Sequence, residues 1–115
     1  MSSVNDNIRN FRTFRGFSQK KLGTLLNKSA NVISNWETGT HSPDIETVEQ
    51  ICKLLAVTPN ELFGWEKNQD YEDWMLEQDA LRAEIDELEK KRDYIDSQIF
   101  EAYQSLQRYK SDNSD

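Results

Sequence analysis

Between Ser18 and Gly39 the chain reads SQKKLGTLLNKSANVISNWETG, and that spacing leaves few folds open to it. Leu22, Leu25 and Leu26 stand three and four apart, as on one face of a helix capped by Ser18, with Phe17 and Leu22 placed to staple its start. Asn27 tolerates a left-handed backbone and can close that helix. Ser29 then caps a second helix whose inward face is Ile33 and Trp36, and Gly39 stops it. Two helices joined by so short a bend cross steeply and need a residue without bulk where their backbones approach. Gly23 supplies it.

Length, turn and small residue together describe a helix-turn-helix. The residue types resemble the phage Cro and repressor type, also called the xenobiotic response element (XRE) family. In that family a Ser-Gln pair opens the first helix, a Leu and a small residue follow, and a Leu precedes the turn, as in Ser18, Gln19, Leu22, Gly23, Leu26 and Asn27. A Ser at the start of the second helix, an Ile in its middle and a Trp-Glu-x-Gly ending are matched by Ser29, Ile33, Trp36, Glu37 and Gly39. The likeness runs from about Ile8 to Gly64. Lys28 departs from it by replacing an aliphatic residue, and Ala30 and Asn35 stand where longer polar or basic residues are common. The resemblance implies an all-α, five-helix, lambda-repressor-like DNA-binding domain without a cofactor. It also implies that Arg12 pairs with Glu37, and that Gln19 clasps phosphate while buttressing the second helix.

A chain of 115 residues with a net charge of −7 looks ill suited to a polyanion, but the charge is divided. Residues 1–64 hold seven bases against six acids, and the remainder seven bases against fifteen acids. No acid occurs from Asn7 to Trp36, whereas Arg9, Arg12, Arg15, Lys20, Lys21 and Lys28 do, a footprint suited to a DNA-facing surface. One cysteine, Cys52, and one histidine, His41, leave no metal cluster and no intramolecular disulfide. With no glycine-rich phosphate loop and no nucleophile–base set, an enzyme is not expected. No apolar run spans a membrane and MSSVNDNIRN is not a signal peptide, so a cytoplasmic protein is expected.

Around the central stretch the pattern predicts three more short helices. The first covers Val4 to Arg15, with Ile8, Phe11 and Phe14 inward and Gly16 as its stop. A fourth opens at Ser42-Pro43-Asp44 with proline in the first helical position, and carries an inward stripe of Ile45, Val48, Ile51, Cys52 and Leu55. Thr58-Pro59-Asn60-Glu61 reads as a capping box, stapled by Val57 and Leu62, for a fifth helix ending at Gly64. Residues 1–66 are expected to form this domain.

After Gly64 neither Gly nor Pro recurs, and a heptad seam sets in: Leu81, Ile85, Leu88, Arg92, Ile95, Ile99, Ala102, Leu106 and Tyr109, with Gln78 before it. Residues 67–110 are expected to be one coiled-coil oligomerisation helix, and 111–115 a disordered tail. Roughly 40 helical residues extend about 60 Å, more than the small domain can cover. A second copy is the expected partner. The alternative is a helix folded back on its own domain through Trp65, Tyr71 and Trp74. In a parallel pair Glu77 approaches Arg82 and Lys91 approaches Asp96 favourably, whereas Glu84 meets Glu89 unfavourably, which leaves the orientation open.

A helix-turn-helix inserts its second helix into the major groove of double-stranded DNA. The side chains facing away from Ile33 and Trp36 are Ala30, Asn31, Ser34 and Asn35, and these are the candidate base contacts. Candidate phosphate contacts are Ser18, Gln19, Lys20, Lys28, Ser29, Thr38, Thr40 and His41, together with Lys21. The expected function is a sequence-specific transcriptional regulator, a repressor reading a pseudo-palindromic operator as a dimer or higher oligomer through residues 29–37. The alternative is an antitoxin-like or adaptor protein whose acidic helical tail binds a protein partner.

Overall fold

The computed structural model describes residues 3–112. Among these described residues six helices follow one another: α1 (Val4–Phe14), α2 (Gln19–Leu26), α3 (Ala30–Thr38), α4 (Ile45–Leu55), α5 (Pro59–Leu62) and α6 (Gln69–Asp112). No strand occurs among the described residues. The chain divides into two compact units, residues 1–75 and 76–115.

In the first unit every one of the five short helices sends at least one fully buried side chain into a common core. These are Ile8, Leu22, Ile33, Ile51, Leu55 and Leu62. Burying each such side chain contributes about 1.5–3 kcal/mol. Phe11, Leu26, Trp36, Cys52 and Val57 complete the cluster. Burial, followed by the carboxylates of Glu61 and Glu49, pushes the Cys52 thiol above its ordinary range, which suits a packing role.

Each short helix begins on a capping oxygen. Ser3, Ser18, Ser29, Asp44 and Thr58 accept from the backbone N–H three residues on. Asp44 is thus the cap of α4, and Pro43 lies before the helix, not at its first position. The reason is that the Asp44 carboxylate takes the Thr47 N–H at 2.8 Å, which fixes Asp44 in extended backbone. The Thr47 side chain, followed by this Thr47 N–H, holds the Asp44 carboxyl below the ordinary aspartate range, with the charge of Lys28 adding a smaller pull. Thr58 caps α5, but Glu61 does not close a box back onto it. Its Oε2 instead accepts from Asn68 Nδ2 at 2.5 Å.

Two expected core positions lie at the surface. Ile45 is 81% exposed, because it sits in the first turn of α4, beyond the level at which Val48 meets the core. It borders an open apolar groove with Val4, Pro43, Val48 and Phe63. Leu25 is 44% exposed; Leu22 and Leu26 take the inward face of α2, and the third leucine falls on the rim.

Helix α4 ends on Ala56 in the left-handed region at φ 54°, where a glycine is usual. Arg15 supports this end from outside: Nε donates to the Leu55 carbonyl at 2.7 Å and Nη2 to that of Ala56 at 3.1 Å. Buried Asn7 similarly donates Nδ2 to the Leu62 carbonyl at 2.9 Å, satisfying the end of α5.

The first unit extends to residue 75 because Tyr71 and Trp74, early in α6, pack on α1. The Tyr71 ring meets Phe11 and Phe14 edge-on at 5.0 and 5.5 Å, and Trp74 lies 5.3 Å from Phe14. Trp65 stacks on Phe63 and remains 67% exposed.

The second unit is the rest of α6. Ser111 and Asp112 belong to the helix, and residues 113–115 of the expected tail lie outside the described residues. Along it Leu81, Ile85, Leu88, Ile95, Ile99 and Leu106 are between 45% and 55% exposed. Ala102 and Arg92 are exposed too, as is Tyr109. Among the described residues no helix is long and apolar enough to cross a membrane.

Replacing Ala56 with glycine removes a left-handed alanine and is expected to raise unfolding free energy by about 1 kcal/mol in urea titrations. Because the folded carboxyl of Asp44 is depressed, its contribution is present above the unfolded-state value and is lost as pH falls through the folded one. Asp44→Asn keeps a capping oxygen but does not titrate. Thermal melts followed downward through pH 3.8 are expected to fall less steeply for this variant than for wild type.

Candidate nucleic-acid interface

The bend between α2 and α3 is set by Asn27, at φ 60° and ψ 42°, which lets the Lys28 N–H return to the Gly23 carbonyl at 2.7 Å. A Cβ on Gly23 would lie 2.7 Å from the Lys28 carbonyl oxygen and 3.2 Å from the Ser29 backbone. The small residue therefore makes room for the turn itself. Ser29 caps α3 through its Oγ, which accepts from the Val32 N–H at 3.2 Å.

The inner face of α3 is held by charge as well as packing. Glu37 is 8% exposed and is the one acid on this helix. Arg12 of α1 donates to it from Nε at 2.5 Å and from Nη2 at 3.3 Å, and from Nη1 to the Phe17 carbonyl at 2.7 Å. Gln19 of α2 donates Nε2 to Glu37 Oε2 at 2.7 Å. Three helices thus meet on one carboxylate, and the ion-pair side chains are 12% and 3% exposed. Gln19 occupies the buttressing place that the resemblance implied, with its amide directed to Glu37.

Of the four candidate base contacts, Asn31 is exposed on the side of α3 away from Ile33 and Trp36, with Ser34 and Asn35 half-buried beside it. Ala30 does not share that face: it is half-buried in the first turn, three residues before Ile33 and seven before Glu37, on the stripe that turns inward. The Asn35 carbonyl accepts from the His41 N–H at 3.2 Å, which turns the following loop back along the helix. In that loop Thr38 and Thr40 share a hydroxyl–hydroxyl bond of 3.0 Å, and both are exposed with His41. Ser18, Lys20 and Lys21 are exposed at the start of α2, and Lys28 and Ser29 at the bend. Ser18 and Ser29 use Oγ as acceptors in their caps, and each hydroxyl hydrogen can still be donated.

Electrostatically, the six bases of the acid-free run divide into two groups. Arg12 and Arg15 are committed to Glu37 and to the end of α4. Arg9, Lys20, Lys21 and Lys28 remain exposed. Since Glu37 is buried, no exposed carboxylate lies between Asn7 and Pro43. Both α2 and α3 also lack an acid in the first turn, leaving their positive dipole ends uncompensated. Such a surface suits a polyanion. The structural roles of Arg15 and Asn7 had no local signal, because their acceptors lie 40 and 55 residues away. Among the described residues no three His, Cys, Asp or Glu side chains are grouped to hold a metal.

Comparison with known proteins matches residues 8–62 to the HTH_3 helix-turn-helix family. The HTH-type transcriptional activator BcrR of Enterococcus faecalis is 33% identical over 63 residues, which are 55% of this chain and 31% of that protein. The chain therefore spans about a third of that relative's length. The cryptic phage CTXphi transcriptional repressor RstR of Vibrio cholerae is 27% identical over 88 residues, 76% of this chain and 78% of that protein. The crystal structure of the P22 c2 repressor with synthetic operator 9T superposes with a TM-score of 0.51 at 27% identity, covering 55% of this chain and 96% of that one.

Replacing Glu37 with alanine leaves Arg12 with the Phe17 carbonyl alone and strips Gln19 of its acceptor. A loss of about 3 kcal/mol in urea titrations is expected. Glu37→Gln preserves the volume and one acceptor, and is expected to lose less.

Proposed function

Residues 8–62 belong to the HTH_3 helix-turn-helix family, and from that membership we propose that the chain is a sequence-specific transcriptional regulator that represses by occupying a pseudo-palindromic operator as a dimer. The observation that carries this reading is a groove-sized helix, α3, whose single acid is buried. Its outward face is left to short polar side chains, with Lys20, Lys21 and Lys28 exposed on α2 and at the bend that leads into it.

In the proposed mode α3 enters the major groove by its N-terminal end. Asn31 offers the paired donor and acceptor that fit the adenine edge, with Asn35 one turn further along. Ser34 lies on the same face. Lys20 and Lys28, the hydroxyls of Ser18, Ser29, Thr38 and Thr40, and His41 flank the groove and fit phosphate contacts. The Glu37 carboxylate, neutralised by Arg12, keeps α3 aimed while adding no repulsion to the DNA-facing surface. The proposed role is binding, carried out in the cytoplasm, without a cofactor.

One such module reads few base pairs, so specificity calls for two copies on half-sites about one helical turn apart. The apolar seam of α6 fits that need. Repression is favoured over activation because RstR, a repressor, is similar along 76% of this chain, whereas the likeness to the activator BcrR covers 55%.

Selection of duplexes from a random library by the full-length protein, followed by gel shifts at matched salt, tests the proposal. Asn31→Ala is expected to cost about 1–3 kcal/mol on the selected site and nothing on scrambled DNA. Lys28→Ala is expected to weaken both and to reduce the salt slope by about one. Equal affinity for selected and scrambled duplexes overturns the reading.

A further inference from the structure

The seam of α6 is continuous in the heptad sense with the residues that pack on α1. Taking Ile85 as an a position, the a series is Tyr71, Gln78, Ile85, Arg92, Ile99 and Leu106. The d series is Trp74, Leu81, Leu88, Ile95, Ala102 and Tyr109. Tyr71 and Trp74, the first a/d pair, meet Phe11 and Phe14 of the same chain. From Leu81 onward the apolar seam residues are about half exposed. We infer that residues 78–109 form a parallel, in-register, two-stranded coiled coil with a second copy of this chain. This rests on the dimeric reading proposed above and specifies its geometry.

Charge flanking the seam decides the orientation. The g positions are Glu77, Glu84, Lys91, Gln98 and Ser105, and the e positions are Arg82, Glu89, Asp96, Tyr103 and Lys110. A parallel pair sets each g beside the next e of the other helix. Glu77 then meets Arg82 of the second copy, Lys91 meets its Asp96, and Glu84 meets its Glu89. By symmetry that makes four attractive contacts and two repulsive ones. An antiparallel pair overlapping along the same span places Leu88 against Ile99, with g beside g and e beside e. Lys91 then faces Gln98, Glu84 faces Ser105, Arg82 faces Tyr103 and Glu89 faces Asp96, so no opposite charges meet and two repulsions remain. Among the described residues Glu77, Lys91 and Asp96 make no ion pair within the chain, whereas Arg82 pairs with exposed Asp79 at 3.4 Å and would exchange that contact for Glu77 of the second copy. Lys90 pairs with Asp86 and Glu87 on the outer face, at b, c and f positions, where it does not compete.

Arg92 points the same way. Ile85 and Ile99 at a with Leu81 and Leu88 at d follow the combination that favours two strands in a parallel coil, whereas Ile95 at d and Leu106 at a do not. In register, the two Arg92 side chains share one layer, held near solvent by long stems, and one apolar layer is lost. Antiparallel packing, or a slip by one heptad, sets Arg92 against an isoleucine in two separate layers. A single charged a residue therefore selects both orientation and register.

Cysteine cross-linking on the full chain tests the geometry, with wild type as control because its Cys52 is buried. Leu88→Cys is expected to oxidise to a covalent dimer, since residue 88 faces its own counterpart. In the antiparallel arrangement the two copies of residue 88 stand about 16 Å apart along the axis, too far for a disulfide. A mixture of Leu88→Cys and Ile99→Cys chains is expected to give no 88–99 link, and such a link overturns the proposal. Glu84→Lys turns two repulsions into attractions and is expected to tighten the dimer about tenfold in sedimentation equilibrium. Adding Glu89→Lys restores like charges and is expected to return the affinity to the wild-type level. An unchanged affinity for Glu84→Lys also overturns the parallel pairing. If the wild-type chain sediments as a monomer, dimerisation itself fails, whereas an 88–99 link refutes orientation alone.

Discussion

The rest of the domain depends on the carboxylate of Glu37. It sits on the buried side of α3, and desolvating a charge there is tolerable only because Arg12 and Gln19 meet it with directed donors. Those donors come from α1 and α2, so the contact fixes the placement of α3 relative to both helices that precede it. Apolar packing is less directional: Ile33 and Trp36 hold α3 to the core, but packed side chains alone allow it to rotate or slide. A helix in the proposed base-reading role tolerates little such freedom.

The same arrangement settles an electrostatic conflict. The face proposed to meet DNA gains from carrying no exposed carboxylate, yet α3 contains a glutamate. Burial beside a guanidinium removes Glu37 from that surface while using its charge for positioning. The cost is that Arg12 is withdrawn from the basic face, as Arg15 is by its bonds to the end of α4. What remains exposed is a modest set of lysines and Arg9, beside two uncompensated helix N-termini.

Helix α6 shows how one periodic pattern can meet two kinds of partner. Tyr71 and Trp74 occupy seam positions but pack on phenylalanines of α1, and the seam from Leu81 onward remains exposed. Aromatic residues at the first positions match the aromatic surface offered by α1. The aliphatic residues further on suit another helix.

The sequence by itself determined the helices and the bend. Caps at Ser18, Ser29 and Thr58, the left-handed Asn27, the glycine at 23 and the heptad period all act within a few residues, where backbone sterics and hydrogen bonding decide the outcome. The Arg12–Glu37 pair was legible only through family resemblance, because its partners stand 25 residues apart. Tertiary structure alone decided that Leu25 and Ile45 face outward, although each fits a helical stripe, since that depends on how far the neighbouring helices reach. It also decided that Arg15 and Asn7 serve helix ends 40 and 55 residues away, whereas the Asp44 cap and the Glu61–Asn68 bond are local, spanning three and seven residues. Periodicity gives the direction of a side chain from its own helix, but which surface lies opposite is set by the packing of the whole core.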